Sequence, residues 1–308
     1  MQVLARVDPA EIRALHERGE YFWLDLHTPS DDELDTIGEL LGISPLAIAD
    51  TKEFGQRAKL DDFGSRVLVV FYGAHGDDLV EVHIHVSGDE VVTVRRDPCA
   101  RLVGARDRAQ EAAAAARTEQ DVVFRVLNAL AESLRDLVDR RGEEVERLGD
   151  AAFARPAAAD RQRMSRLRAE LFRLQQVVVP QRDMLGRGGD ALEYLPGLQR
   201  DADRHPFRDV HDDLVVTANE IAYQRELLNE AVNVLLNQMA GRLTILATLF
   251  LPLTVVSGFF GMNFGWLVRH INSAATFFAL GVGGMVLPIV VILLLLRRAG
   301  YVGSNADR

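Results

Sequence analysis

Few side chains in this sequence are placed to do chemistry. The stretch SGFFGMNFGW, Ser257 to Trp266, lies between two long apolar runs and carries no ionisable group. Acid–base or nucleophilic catalysis has nothing to work with there. What the stretch offers is the amide of Asn263, whose carbonyl oxygen is a neutral hydrogen-bond acceptor. His83 and His85 stand two apart in VEVHIHV, on one face of a strand, and with no further ligand beside them they read as ordinary strand-face histidines. The run GEEVERLGD, ending at Asp150, reads as a solvated acidic helix face. Cys99 is the single cysteine, which excludes an internal disulfide and a thiolate metal cluster. No phosphate loop or nucleotide fingerprint occurs.

The elements that must position Asn263 are the apolar runs on either side. Although 26% of the 308 residues are charged, neither Leu243–Phe260 nor Ser273–Leu296 carries a formal charge. As helices they extend about 27 and 36 Å, enough for a hydrocarbon core of about 30 Å. Soluble helices seldom stay apolar all round for such lengths, so the pair reads as membrane spans rather than core helices. The N-terminus, MQVLARVDPAEIRALHERGE, has no apolar h-region of a cleavable signal. Some 240 residues thus precede the first span. Arg242, Arg297 and Arg298 flank the spans on one side, which predicts both termini in the cytoplasm of a multi-pass protein of the cell (inner) membrane. The net charge of −10 belongs almost wholly to the soluble part, which speaks against nucleic acid and favours cations as partners.

Along the chain, residues 1–96 read as a cytoplasmic α/β domain. Asp8 caps a helix with Pro9 in its first turn, and Ser30 with Glu33 forms a capping box closed at Gly42. YFWLDL, RVLVVFYG and the two halves of LVEVHIHVSGDEVVTVR are strand-like, the last pair turning at Ser87-Gly88. Residues 97–205 form a helical part, with helices over about 98–117, 119–154 and 159–187, a kink at Pro180, and turns at GRGGD and LPGLQRDADRHP. From Phe207 to Leu251 the only glycine is Gly241 and there is no proline. Those residues predict one helix of about 68 Å, a stalk over 206–242 continuing into the first span over 243–260. An outer loop over 261–272, a second span over 273–296 and a cytoplasmic tail over 297–308 complete the order. A stripe at three- and four-residue steps, Asn237, Ala240, Thr244, Ala247, Leu251, Thr254 and Gly258, suits helices packed around a narrow axis, though scattered threonines bonded to their own helix give a similar pattern.

The segment LTILATLFLPLTVVSGFFGMNFG resembles the CorA family of divalent-cation transporters, whose hallmark Gly-Met-Asn falls at the outer end of the first of two C-terminal spans. Here it is Gly261, Met262 and Asn263. GISPLAIADTKEFGQRAKLDDF and PFRDVHDDLVVTANEI are similar to that family's cytoplasmic domain and stalk, so the resemblance covers nearly the whole chain. It implies a homopentamer in the lipid bilayer, with an α+β cytoplasmic domain built as an α/β/α funnel, a long stalk helix and two C-terminal transmembrane helices. It implies a channel rather than an enzyme, carrying Mg²⁺, with Co²⁺ and Ni²⁺ as further candidates.

The resemblance makes Gly261, Met262 and Asn263 the selectivity filter. Mg²⁺ sheds water reluctantly and its waters point O–H donors outward, so a ring of neutral asparagine carbonyls matches it. Taken alone, Asn263 would equally suit a helix C-cap. The resemblance further places Asn237, Leu243, Leu251 and Thr254 on the pore wall, the leucines as dewetting constrictions. It assigns Asp50 and Asp209 to a regulatory Mg²⁺ between neighbouring subunits, where the ion offsets carboxylate repulsion and holds the ring closed. Three features depart from the family: the loop FGWLVRHINS has Arg269 and His270 in place of acids, the stalk is about seven residues shorter ahead of Asn237, and the tail has two adjacent basic residues. The less acidic loop brings in the zinc-transporting branch as an alternative. A non-conducting membrane-anchored scaffold is the alternative of another class.

Overall fold

The structure is a computed structural model that describes residues 1–111, 119–154, 158–193, 206–262, 265 and 273–298. Two compact units emerge, Met1–Ala231 and Val232–Arg308.

The first unit is built on a six-stranded mixed sheet. Its strands are β1 (Gln2–Leu4), β2 (Phe22–His27), β3 (Lys59–Asp62), β4 (Arg66–His75), β5 (Asp78–Ser87) and β6 (Glu90–Arg95). Their order across the sheet is β1-β2-β6-β5-β4-β3. β1, β2 and β6 are parallel, with Phe22 opposite Glu90, and β6, β5, β4 and β3 follow as antiparallel neighbours. Helices α1 (Pro9–Glu17), α2 (Asp31–Leu41) and α3 (Pro45–Lys52) cover one face through Ile12, Leu15, Ile37, Leu41 and Ile48, packed on Leu24, Leu26, Val92 and Val94. The expected caps are present: Asp8 Oδ1 accepts from Ala10 N and Glu11 N, and Ser30 and Glu33 bond reciprocally. Gly42 closes α2 in the left-handed region at φ 63°, where a side chain would be strained.

On the other face lie α4 (Ala100–Glu111), α5 (Glu119–Phe153) and α6 (Ala158–Glu193). α5 approaches β4 so closely at Gly73 that a Cβ there would meet Leu130 Cδ2 at 2.7 Å and Ser133 Oγ at 2.8 Å. Under α4, buried Asp25 accepts from Thr93 Oγ1 at 2.8 Å and from Arg106 at 3.1 Å, and pairs with Arg95. The α/β/α arrangement is thus as the family resemblance implies. One local expectation fails. GRGGD does not turn; α6 runs on through it to Glu193. Gly186 instead provides close approach, since a Cβ there would stand 3.0 Å from His211 Nε2. LPGLQRDADRH lies outside the described residues, and α6 continues through Pro180.

The last long helix, α7 (Pro206–Gly261), is uninterrupted from the soluble unit into the apolar run. Its first part buries Phe207, Val210, Leu214, Ala218, Ile221, Leu228 and Ala231 at helical spacing. It is tied to α5 by Arg135–Asp213 at 2.5 Å and by Gln224 Nε2 donating to the Val138 carbonyl at 3.0 Å. In the second unit α7 continues, and α8 (Ala274–Arg298) follows, with a π-helical segment at Phe277–Val282. Both are long and apolar enough to cross a membrane, and no residue in the most apolar window of each is fully buried within the chain.

Candidate functional site

The apolar part of α7 has two distinct faces. Ile245, Leu249, Pro252, Leu253, Val256 and Phe260 are partly covered and recur at three- and four-residue steps. α8 provides the cover: a Cβ at Gly284 would lie 3.7 Å from Val256 Cγ1 and 3.8 Å from Phe260 Cε2. Asn237, Ala240, Thr244, Ala247, Leu251, Thr254 and Gly258 are all exposed. At about 100° per residue this stripe falls on the side of α7 opposite α8. Leu243 and Leu251 on that side are 68% and 70% exposed, an exposure that soluble surfaces rarely grant to neighbouring leucines.

The hydroxyls on this face are committed to the helix itself. Thr244 donates to Ala240 O at 2.9 Å, Thr248 to Thr244 O at 2.8 Å and Thr254 to Phe250 O at 2.9 Å. Such back-bonding satisfies a threonine in an apolar medium while leaving its oxygen lone pairs outward. Pro252 sits inside the helix and removes the N–H that would bond the Thr248 carbonyl. Gly261 ends α7, and Met262, 44% exposed, closes the turn by donating its N–H to Phe259 O at 3.3 Å. Asn263, together with Arg269 and His270, lies outside the described residues.

The two acidic candidates both belong to the first unit. Asp209 is exposed in the first turn of α7, where the helix dipole favours a carboxylate, and it has no ion-pair partner among the described residues. Asp50 stands in the last turn of α3, half-buried, with its Oδ2 2.6 Å from Lys59 Nζ. Lys59 also reaches Asp61 at 2.7 Å. Burial pulls the lysine's pKa down, but its hydrogen bonds to Asp50 and Asp61 outweigh that and raise it above its ordinary value. The sequence reading missed Lys59. Only its place nine residues after Asp50, in the AKLDD edge strand, hints at the pair.

The loop after Asp50 is held from beneath by Glu81. Its carboxylate accepts from Gly55 N at 2.5 Å, from Gln56 N at 3.2 Å and from Tyr72 Oη at 3.1 Å, and it contacts His83 Nε2 at 2.8 Å. Burial alone would raise the Glu81 carboxyl, but the His83 and amide hydrogen bonds hold it below its ordinary value. Burial and the Glu81 charge push the Tyr72 phenol up. Gln56 Nε2 in turn donates to the Asp50 carbonyl at 2.6 Å. His83 and His85 are strand-face histidines of the interior. His83 stacks on Phe54 with ring centres 4.5 Å apart, and His85 Nε2 lies 2.8 Å from Thr51 Oγ1.

A soluble α/β/α unit leading through one continuous helix into two apolar helices defines a class of membrane protein, and the comparisons with known proteins identify it. Residues 18–298 match the family model described as CorA-like Mg²⁺ transporter protein. The chain belongs to that family, which makes it a divalent-cation transporter and not an enzyme. It is 24% identical over 255 residues to the cobalt/magnesium transport protein CorA of Thermotoga maritima, covering 77% of this chain and 71% of that one. It is also 24% identical to the protein of the same name from Methanocaldococcus jannaschii, covering 96% of each. The solved complete structure of the CorA magnesium transporter from M. jannaschii superposes with a TM-score of 0.63 at 21% identity, covering 91% of both chains. That likeness establishes the fold.

Proposed function

We propose that the protein is a homopentameric channel that carries Mg²⁺ inward across the cell membrane, with Co²⁺ and Ni²⁺ as further cargo, and that intracellular Mg²⁺ closes it. The observation that carries this reading is the α7 stripe: small, polar and apolar residues in register, exposed on the side of the helix that α8 leaves open. Five such helices facing one axis would cover Leu243 and Leu251 against their copies and set Asn237 and Thr254 on a shared wall. Apolar rings at the two leucines would gate by dewetting. Asn263, following the end of α7, would ring the outer mouth with neutral acceptors suited to the outward O–H groups of a hydrated ion, with Gly261 allowing the turn and Met262 packing beside it. Inward movement is driven by the membrane potential at about 2.3 kcal/mol per charge per 100 mV, doubled for a divalent ion.

For regulation, Asp50 and Asp209 would meet across neighbouring subunits and share Mg²⁺. Their oxygen donors fit a hard cation, and both side chains are accessible in a single chain. Loss of the ion restores carboxylate repulsion and lets the subunits part, a two-state element biased by its ligand.

The test is ion uptake into proteoliposomes at fixed potential, offering Mg²⁺ and Zn²⁺ separately, with Asn263→Ala as the comparison. Mg²⁺ entry lost in the variant is the expected outcome. Entry of Zn²⁺ alone would replace this reading with zinc transport and direct attention to Arg269 and His270. Flux of neither ion from a verified pentamer would leave a membrane-anchored scaffold.

A further inference from the structure

A second group of ligand-bearing side chains lies far along the sequence from all of these. His16 is in the last turn of α1, and Asp89 and Glu90 sit at the β5–β6 turn. Pairing of β2 with β6 sets Glu90 beside Phe22, just past the end of α1. Ligand atoms of His16, Asp89 and Glu90 all lie within 4.8 Å of one another. Glu90 is completely buried, and its two oxygens have different fates. Oε1 is held by Ser87 Oγ at 2.8 Å and by the Arg66 guanidinium. Oε2 has no hydrogen-bond partner and faces His16 Nδ1 at 3.9 Å.

A buried carboxylate oxygen without a partner is costly, and it calls for a counterpart. We propose that His16, Asp89 and Glu90 form a site for a first-row transition-metal dication, of the Zn²⁺, Ni²⁺ or Co²⁺ kind. The assignment does not rest on the transport reading above. One imidazole and two carboxylates make a donor set that suits these ions, whereas Mg²⁺ prefers oxygen alone. With metal–ligand distances of about 2.0–2.2 Å, tetrahedral donors stand roughly 3.3–3.6 Å apart, so closing from separations of at most 4.8 Å falls to the exposed, movable His16 and Asp89 side chains. Charge also agrees: two carboxylates against Arg66 leave one net negative charge for the dication. Ser87 fixes Glu90 further by accepting its backbone N–H at 3.2 Å, so the buried ligand is held in place before an ion arrives. The carbonyl end of α1 contributes negative potential at the same point. Bound there, the ion would tie α1 to the β5–β6 turn.

The test uses full-length protein in detergent, equilibrated with Co²⁺ in the presence of excess Mg²⁺ to fill oxygen-only sites. Dialysis gives the stoichiometry, and the visible Co²⁺ spectrum reports its ligands. One Co²⁺ per chain should depend on His16. Both His16→Gln and Asp89→Asn change exposed residues and leave the buried carboxylate intact. Each should weaken retention by at least about tenfold, since losing a direct ligand costs no less than losing an outer-shell partner, about 10–100-fold. Retention and spectrum unchanged in both variants would overturn the site. The same His16-dependent ion is expected in the Asn263→Ala chain. Its disappearance there would place the Co²⁺ in the pore and overturn the assignment as well.

Discussion

Phe71 and Leu251 are both large apolar residues in long regular elements, and the structure treats them oppositely. Phe71, on β4, is fully buried; Leu251, on α7, is 70% exposed. The same contrast runs along α7 alone, which buries a regular stripe up to Ala231 and no residue beyond Leu235. A stripe of buried residues marks a helix solvated on one side by water and on the other by protein. An apolar helix that a single neighbouring helix covers on one face only, with no residue fully buried, is suited to a lipid medium. The first region buries its apolar residues inside one chain, whereas the second leaves them outside it.

That contrast predicts where substitutions will be felt. Asp25→Ala should have the largest effect. It leaves Arg95 buried without its carboxylate and should cost about 3–5 kcal/mol, read as a lowered melting transition of the soluble unit by near-UV circular dichroism. Leu251→Ala, measured alongside, should leave that transition in place. An equal drop in both would show that the two regions do not divide as described. Gly73→Ala forces a Cβ against Leu130 and Ser133, and an overpacked contact of this kind costs about 1–3 kcal/mol. An unchanged melt would mean that α5 gives way and the interior is looser than the distances imply.

The last effect, absent at neutral pH, is a slope with pH. Thr51 gives its hydroxyl proton to Ala47 O, so His85 Nε2 is the donor to Thr51, and Nδ1 is left buried without a partner. Burial first, then the Arg66 and His83 charges, lower the His85 pKa to about 3. The unfolded chain therefore takes up a proton near pH 6.5 that the folded one refuses. His85 costs the fold nothing above pH 6.5. Stability then declines by about 1.4 kcal/mol per pH unit from 6.5 toward about 3. His85→Gln should flatten that decline between pH 6.5 and 5. A slope that persists would assign the titration to another group.

Much of this architecture could be read from the residues. Strong alternation and long apolar runs gave β2, β4, β5, β6 and the two C-terminal helices, and Ser30 with Glu33 announced α2. β1 escaped because three residues carry no period, and β3 because an edge strand of Lys59, Leu60, Asp61 and Asp62 lacks an apolar face. The glycines of GRGGD misled because one of them serves a close approach to α7 rather than a turn. The α7 stripe was legible because a helix presents residues three and four apart on one side. Lys59 beside Asp50, and His16 beside Glu90, were not. Strand pairing and the path between elements create those neighbours, and no local spacing encodes them.

The lysine beside Asp50 has a consequence for how that carboxylate meets any cation. The ammonium is protonated through the physiological range, as an ordinary lysine is, and its two carboxylate partners raise its pKa further. A dication arriving at Asp50, as proposed, would therefore find a carboxylate already paired with an ammonium and would enter by counter-ion exchange rather than by simple addition. Exchange subtracts the existing attraction from the new one, which weakens the apparent affinity and moves the half-saturation point to higher concentration. Under the proposed regulation, Lys59 would act as a set-point residue, its length and charge tuning the ion concentration at which Asp50 would change partners.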